Sequence, residues 1–187
     1  MTQPRKRPSP SDFAHVHDWV FDLDNTLYPH HINLFAQIDK NMTAFVADLL
    51  QVDPVEAKLL QKRYYHEHGT TLAGLMLHHN VDPNAFLEKA HAIDYSMLLP
   101  DEALGNAIKR LPGRKFIFTN GTVAHAEDAA RALGILDHFD DIFDIVAAGF
   151  TPKPERSTYE LFLAKHAVDP GRAAMFEDIE KNLLVPS

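Results

Sequence analysis

Two aspartates, Asp22 and Asp24, stand two residues apart at the end of the apolar run Trp19-Val20-Phe21, just before the turn formers Asn25, Thr26 and Pro29. A short run of this kind is what a buried parallel strand presents. Strand side chains repeat every second residue, so both carboxylates face one side where the strand stops. Ligands of open α/β sheets bind outside the carboxyl ends of the strands. Two carboxylates buried together without partners repel, and one takes up a proton. A bound divalent cation relieves that conflict, and a hard cation takes oxygen ligands. One carboxylate is then placed to attack an electrophile while the other carries a proton. The competing explanation is a pair of turn acids capping the next element, which leaves the downstream partners described below without a role.

The rest of the chain supplies elements able to position such a pair. A strand is predicted over about 18–23. Beyond Pro29, the residues Leu34, Phe35, Ile38, Met42, Phe45, Val46, Leu49 and Leu50 recur at helical spacing. Asp53-Pro54 with Glu56 opens a helix as N-cap, first-turn proline and capping-box acid, and Gly69 stops it. Thr70 and Thr71 cap a short helix ending near Asn80, and Asp82-Pro83 opens another that is expected to run to about Tyr95. Residues 30–99 therefore read as a helical insertion.

After it, a helix over 101–111 leads to the apolar run Lys115-Phe116-Ile117-Phe118 and the polar turn Thr119-Asn120-Gly121. A helix over 122–133 ends at Gly134, and a third strand is expected near 142–148. Pro152-Lys153-Pro154 reads as extended, because residues before proline avoid the helical region. A helix over 155–167, a turn at Asp169-Pro170 and a strand over 173–176 complete the chain. Strands alternating with helices imply an α/β fold: a doubly wound parallel sheet with right-handed crossovers and helices on both faces. Its core is split, 13–29 and 100–187, around the insertion. Residues 1–12, Pro-rich and carrying Arg5, Lys6 and Arg7, read as a disordered tail.

A length of 187 residues suits one medium domain or a core with a modest insertion. With 18 basic and 26 acidic residues, the formal charge of -8 argues against nucleic-acid binding. An anionic substrate would need local positive charge or a metal. No stretch is long and apolar enough to span a bilayer, and no signal-peptide run is expected. Cysteine is absent, which excludes disulfides and thiol chemistry and fits a cytoplasmic protein. The histidines, twelve in all, lack zinc-site spacing.

Three strand ends thus carry polar groups: Asp22 and Asp24, Thr119 and Asn120, Glu177 and Asp178. Lys153 lies in the loop before the fourth strand. A nucleophile, an acid/base, a hydroxyl donor, a fixed cation and further carboxylates for a metal form the inventory of phosphoryl transfer, where positioning and charge neutralisation dominate.

In that order, Asp22-Leu23-Asp24-Asn25-Thr26, Thr119-Asn120-Gly121, Lys153-Pro154, and Glu177-Asp178 followed by Asn182 resemble the four motifs of the haloacid dehalogenase superfamily, in its branch with a helical cap inserted after the first motif. The resemblance covers nearly all of 18–186. It implies Asp22 as the nucleophile that forms an aspartyl-phosphate, and Asp24 as the acid that protonates the leaving oxygen and then activates water. It implies a Mg²⁺ cofactor held by Asp22, Asp178 and the backbone carbonyl of Asp24, with Glu177 acting on the metal through water. Thr119 and Lys153 would hold the phosphoryl group. Asn120 either donates to phosphate or fixes its turn, and Asn182 either bonds the metal-ligand loop or faces solvent. Dehalogenases resembling this strand lack an acid at the position of Asp24, so phosphate-ester hydrolysis is the expectation.

The stretch Phe21 to Pro29, Asn33-Leu34-Phe35, Tyr64 to Leu75 and Phe143-Asp144-Ile145 resemble the pyrimidine 5′-nucleotidase group. That implies a small phosphorylated substrate such as UMP or CMP, with Tyr64, His66 and Thr71 as candidate contacts. Phosphosugar phosphatases and mutases carry both acids too, and a phosphate-binding module without turnover stays open. Relatives continue with a further helix and a fifth strand. Their absence would leave the fourth strand as an exposed edge, for which a homodimer is one remedy.

Overall fold

The computed structural model describes residues 9–186. Four short strands pair in parallel in the order β3-β2-β1-β4: β1 (Asp18–Phe21), β2 (Arg114–Phe118), β3 (Asp141–Phe143) and β4 (Ala173–Phe176). Their side chains alternate between the two faces, as a strand period of two requires. Trp19, Phe21 and Ile117 pack on one face with Ile108 of α5 (Glu102–Arg110) and Ala126, Ala129 and Ala130 of α6 (Val123–Ala132). Val20, Phe116 and Phe118 pack on the other with Tyr159 and Phe162 of α7 (Arg156–His166). This is the doubly wound arrangement read from the sequence. A last short helix, α8 (Glu180–Leu183), follows β4. Among the described residues β4 pairs on one side only.

Between β1 and β2 lie α1 (Leu34–Leu50), α2 (Pro54–His68), α3 (Thr71–His79) and α4 (Pro83–Ala90), with a core of their own that includes Ile38, Val46, Ala57, Leu75 and Phe86. Ile145, just beyond β3, joins that cluster and ties it to the sheet. The caps form where their side chains predict. Asp53 accepts from the amides of Val55 and Glu56, Thr70 from Ala73, and Asp82 from Asn84.

Four expectations are corrected. Residues 1–8 of the expected tail lie outside the described residues, but residues 9–12 are ordered. Ser9 and Asp12 cap a turn over Pro10–Phe13, and the Phe13 ring packs against Trp19. The helix expected to reach Tyr95 ends at Ala90, because α1 takes over the backbone that follows. Asn41 donates to the Ala92 carbonyl at 3.0 Å, and the Gln37 side chain bonds both the amide and the carbonyl of Asp94. The third strand stops at Phe143, because Asp144 turns the chain by accepting from the amides of Ala147 and Val123. Residues 153–154 form a turn closed by Glu155 N–H to Pro152 O, rather than an extended run.

Gly74 marks the tightest crossing in the insertion: a Cβ there would lie 2.4 Å from Cβ of Tyr64. Gly74→Ala should therefore destabilise the protein by about 1–3 kcal/mol despite the better helix propensity of alanine. Urea unfolding measures this, and an unchanged midpoint would contradict the α2–α3 packing.

Candidate active site

The ends of β1, β2 and β4 lie side by side because the sheet is parallel and β1 is central, so Asp22, Phe118 and Glu177 converge. Lys153 joins them. Its Nζ, in a side chain 1% exposed, donates to Asp22 Oδ1 at 2.8 Å, to Glu177 Oε2 at 2.7 Å and to the Phe118 carbonyl at 2.8 Å. Asn120 holds the lysine's backbone from both sides. Its Oδ1 accepts from Lys153 N–H at 2.8 Å and its Nδ2 donates to the Lys153 carbonyl at 3.3 Å. Asn120 is thus committed to fixing the turn. Thr119 is buried beside it, with its Oγ1 accepting from Gly121 N–H at 2.9 Å.

Burial pushes the Asp22 carboxyl up to about 6; Lys153 opposes the shift and Glu177 adds to it. Asp22 Oδ2 is buried with no hydrogen-bond partner among the described residues. Carboxylate oxygens of Asp22, Glu177 and Asp178 lie within 4.8 Å of one another. Asp178 is also pushed up, first by burial and then by its hydrogen bond to Glu177 and that residue's charge. An orphaned buried carboxylate oxygen beside two crowded acids fits a hard divalent cation, and oxygen-only donors suit Mg²⁺.

Asp24 sits on a different set of partners. Its Oδ1 accepts from the Tyr28 hydroxyl and from His125 Nε2 at 2.9 Å. Burial alone would raise its pKa, but the charge and hydrogen bond of His125, helped by the Tyr28 hydroxyl, outweigh that and leave it low. His125 Nδ1 meets the Tyr95 hydroxyl at 2.8 Å, and the His91 ring stacks on the imidazole at 4.6 Å. Burial, and then the nearby His125, push His91 down to about 4.

A cavity of about 400 Å³ opens over these groups, lined from the sheet side by Asp22, Asp24, Asn120, Lys153, Asp178 and Asn182. Asn182 is buried, with its Oδ1 unpartnered among the described residues and its carbonyl accepting from Tyr159. From the insertion side Asp39, Gln61, Lys62, Tyr65 and Thr71 line the cavity. Asp39 is held by Lys58, Lys62 and Gln61, and the two lysines keep its carboxyl low against the opposing effect of burial.

Two of the candidate substrate contacts lie elsewhere. Tyr64 is buried in the insertion's core against Gly74 with its hydroxyl on His79, because α2 turns that face toward α3. His66 is exposed and does not line the cavity. Thr71 does line it, with its hydroxyl donating to the Gln61 carbonyl.

The residues that sequence reading missed are His125, Tyr28, Tyr95 and Asp39. The available signal for His125 was its place in the first turn after the second polar strand end, four residues before Ala129 on a core-facing stripe.

The profile of the haloacid dehalogenase-like hydrolases matches residues 20–184. Phosphate metabolism protein 8 of Saccharomyces cerevisiae is 31% identical over 151 residues, 74% of this chain. The chain spans 46% of that relative's length. The UTR4 protein of Saccharomyces cerevisiae superposes with a TM-score of 0.56 at 16% identity, over 91% of this chain and 85% of that one. A haloacid dehalogenase-like family protein of Streptococcus pneumoniae gives 0.55 at 17% identity, over 92% and 80%. Both share the fold.

The raised Asp22 carboxyl makes a signed prediction. Its folded pKa of about 6 lies above its ordinary 3.8, so the stability it contributes is present below pH 3.8 and lost as pH rises to about 6. In EDTA, Asp22→Asn should gain stability over the wild type across that window and hold the gain above it. Mg²⁺ at pH 7 should raise the wild-type melting temperature more than that of Asp22→Asn. Parallel pH profiles, or equal responses to Mg²⁺, would contradict the assignment.

Proposed function

The chain belongs to the haloacid dehalogenase-like hydrolase family, and we propose that it is a Mg²⁺-dependent phosphomonoesterase acting through an aspartyl-phosphate on Asp22. The observation that carries this reading is a pair of carboxylates two residues apart with opposite environments. Asp22 is paired with a buried lysine and left with one orphaned oxygen, while Asp24 is held at one oxygen by Tyr28 and His125. Such a division of surroundings separates the roles of two acids.

Asp22 attacks phosphorus, the bond from phosphorus to the leaving oxygen breaks, and that oxygen takes a proton from Asp24. The incoming phosphate's negative charge raises the proton affinity of Asp24 for this step. Water then attacks phosphorus and gives its proton to Asp24, the bond from phosphorus to Asp22 breaks, and inorganic phosphate leaves. Lys153 offsets part of the charge of Asp22 and Glu177 throughout. Asp22, Asp178 and the Asp24 carbonyl would hold Mg²⁺, which would supply positive charge at the transferring group. Thr119 offers its hydroxyl proton to the phosphoryl group, and Asn120 acts through the Lys153 backbone it pins. A dehalogenation ester needs no leaving-group proton, so the network on Asp24 supports a phosphate ester instead.

The insertion acts as a cap that reads the leaving group and excludes water. We take pyrimidine nucleoside 5′-monophosphates as the substrates. A cavity of about 400 Å³ holds a ligand of that size, and Asp39 offers an ionised acceptor to sugar hydroxyls. A relative named for phosphate metabolism supports the phosphatase reading.

Phosphate release from UMP, CMP, AMP, GMP and sugar phosphates, with Mg²⁺ and with EDTA, tests this. The expected result is metal-dependent release favouring UMP and CMP, with Asp22→Asn lowering kcat by at least ~10³-fold. Release from sugar phosphates alone discards the nucleotide assignment and keeps the core roles. Binding without release from any ester favours a binding module.

A further inference from the structure

Asp24 is served by both connections between the sheet and the insertion. Tyr28 lies on the outgoing connection, and His91 and Tyr95 lie on the returning one. His125, from α6, links them. Its imidazole is 1% exposed, stacked at an interplanar angle of 9° on His91 and bonded at both nitrogens. With the Asp24 carboxylate as acceptor, Nε2 carries a proton, and the Tyr95 hydroxyl bonds Nδ1, so the ring is held from both sides. Tyr28 and His125 converge on the same oxygen, Oδ1.

We propose that His125 is a positioning residue for Asp24: together with Tyr28 it binds Oδ1, and so reserves Oδ2 for proton transfer at the cavity that Asp24 lines. Tyr95 fixes the imidazole that does this. The proposal rests on the phosphomonoesterase reading, since it concerns that reaction's proton-transfer group. A merely structural histidine would pack the core equally well, and the two roles separate by leaving group. An alkoxide leaving group needs a proton from Asp24. A p-nitrophenolate departs without one.

The test compares kcat/KM of the wild type, His125→Ala, His125→Gln and Tyr95→Phe. The substrates are p-nitrophenyl phosphate and the alkyl phosphate ester the wild type turns over fastest. His125→Ala should lose ~10²-fold on the alkyl ester and less than ~5-fold on p-nitrophenyl phosphate, through kcat more than KM. His125→Gln, which keeps an N–H donor, should recover part of the alkyl-ester loss. Should His125→Ala fail to fold, Tyr95→Phe should show a smaller loss with the same selectivity. Equal losses on both esters, or unimpaired alkyl-ester turnover, would overturn the proposal while leaving the phosphatase reading intact. A wild type that hydrolyses neither ester would overturn both.

Discussion

The Lys153 ammonium, buried among Asp22, Glu177 and the Phe118 carbonyl, is the constraint on which the rest of the site depends. A buried charge is costly unless it is paired and its hydrogen bonds are met. Here all three donors of the ammonium have acceptors, and each acceptor comes from the end of a different strand. The contact therefore fixes the relative heights of β1, β2 and β4 as well as the charge of the site. Asn120 extends the constraint by gripping the backbone of Lys153 from the turn after β2. Removing the lysine would leave two carboxylates facing each other without compensation.

From that anchor the two acids of the first strand diverge. Asp22 is buried, paired at one oxygen and orphaned at the other, beside a cluster of carboxylates that a hard cation would satisfy. Asp24 is turned toward a hydroxyl and an imidazole and keeps its charge. The chain's net charge of -8 offers no general attraction for a phosphate ester, so local cations must do that work. Lys62 and Lys181 stand among the lining residues of the cavity, and a cation bound by the acidic cluster at its floor would add to them.

Much of this was legible because the signals are local. Apolar runs ending in polar turns located β1, β2 and β4, and Asp53, Thr70 and Asp82 announced helix starts by their own side-chain chemistry. The motif residues were readable because strand ends collect at one edge of a parallel sheet. What escaped was set by contacts distant in sequence. The returning connection ends its helix at Ala90 because Gln37 and Asn41, some fifty residues earlier, bind the backbone beyond it. Tyr64 and Tyr65 are adjacent, and only the packing of α2 against α3 decides that Tyr65 meets the cavity while Tyr64 covers Gly74. His125 on a helix of alanines reads as core, and it is core; its partner Asp24 lies 101 residues away.

The central claim is that Asp22 becomes covalently phosphorylated. Acid quenching during turnover, borohydride reduction and peptide mapping test it most directly, because hydride converts an acyl-phosphate of aspartate to homoserine. The account predicts homoserine at position 22 alone, dependent on substrate. Rapid turnover with no modified residue, or modification at another carboxylate, would contradict it.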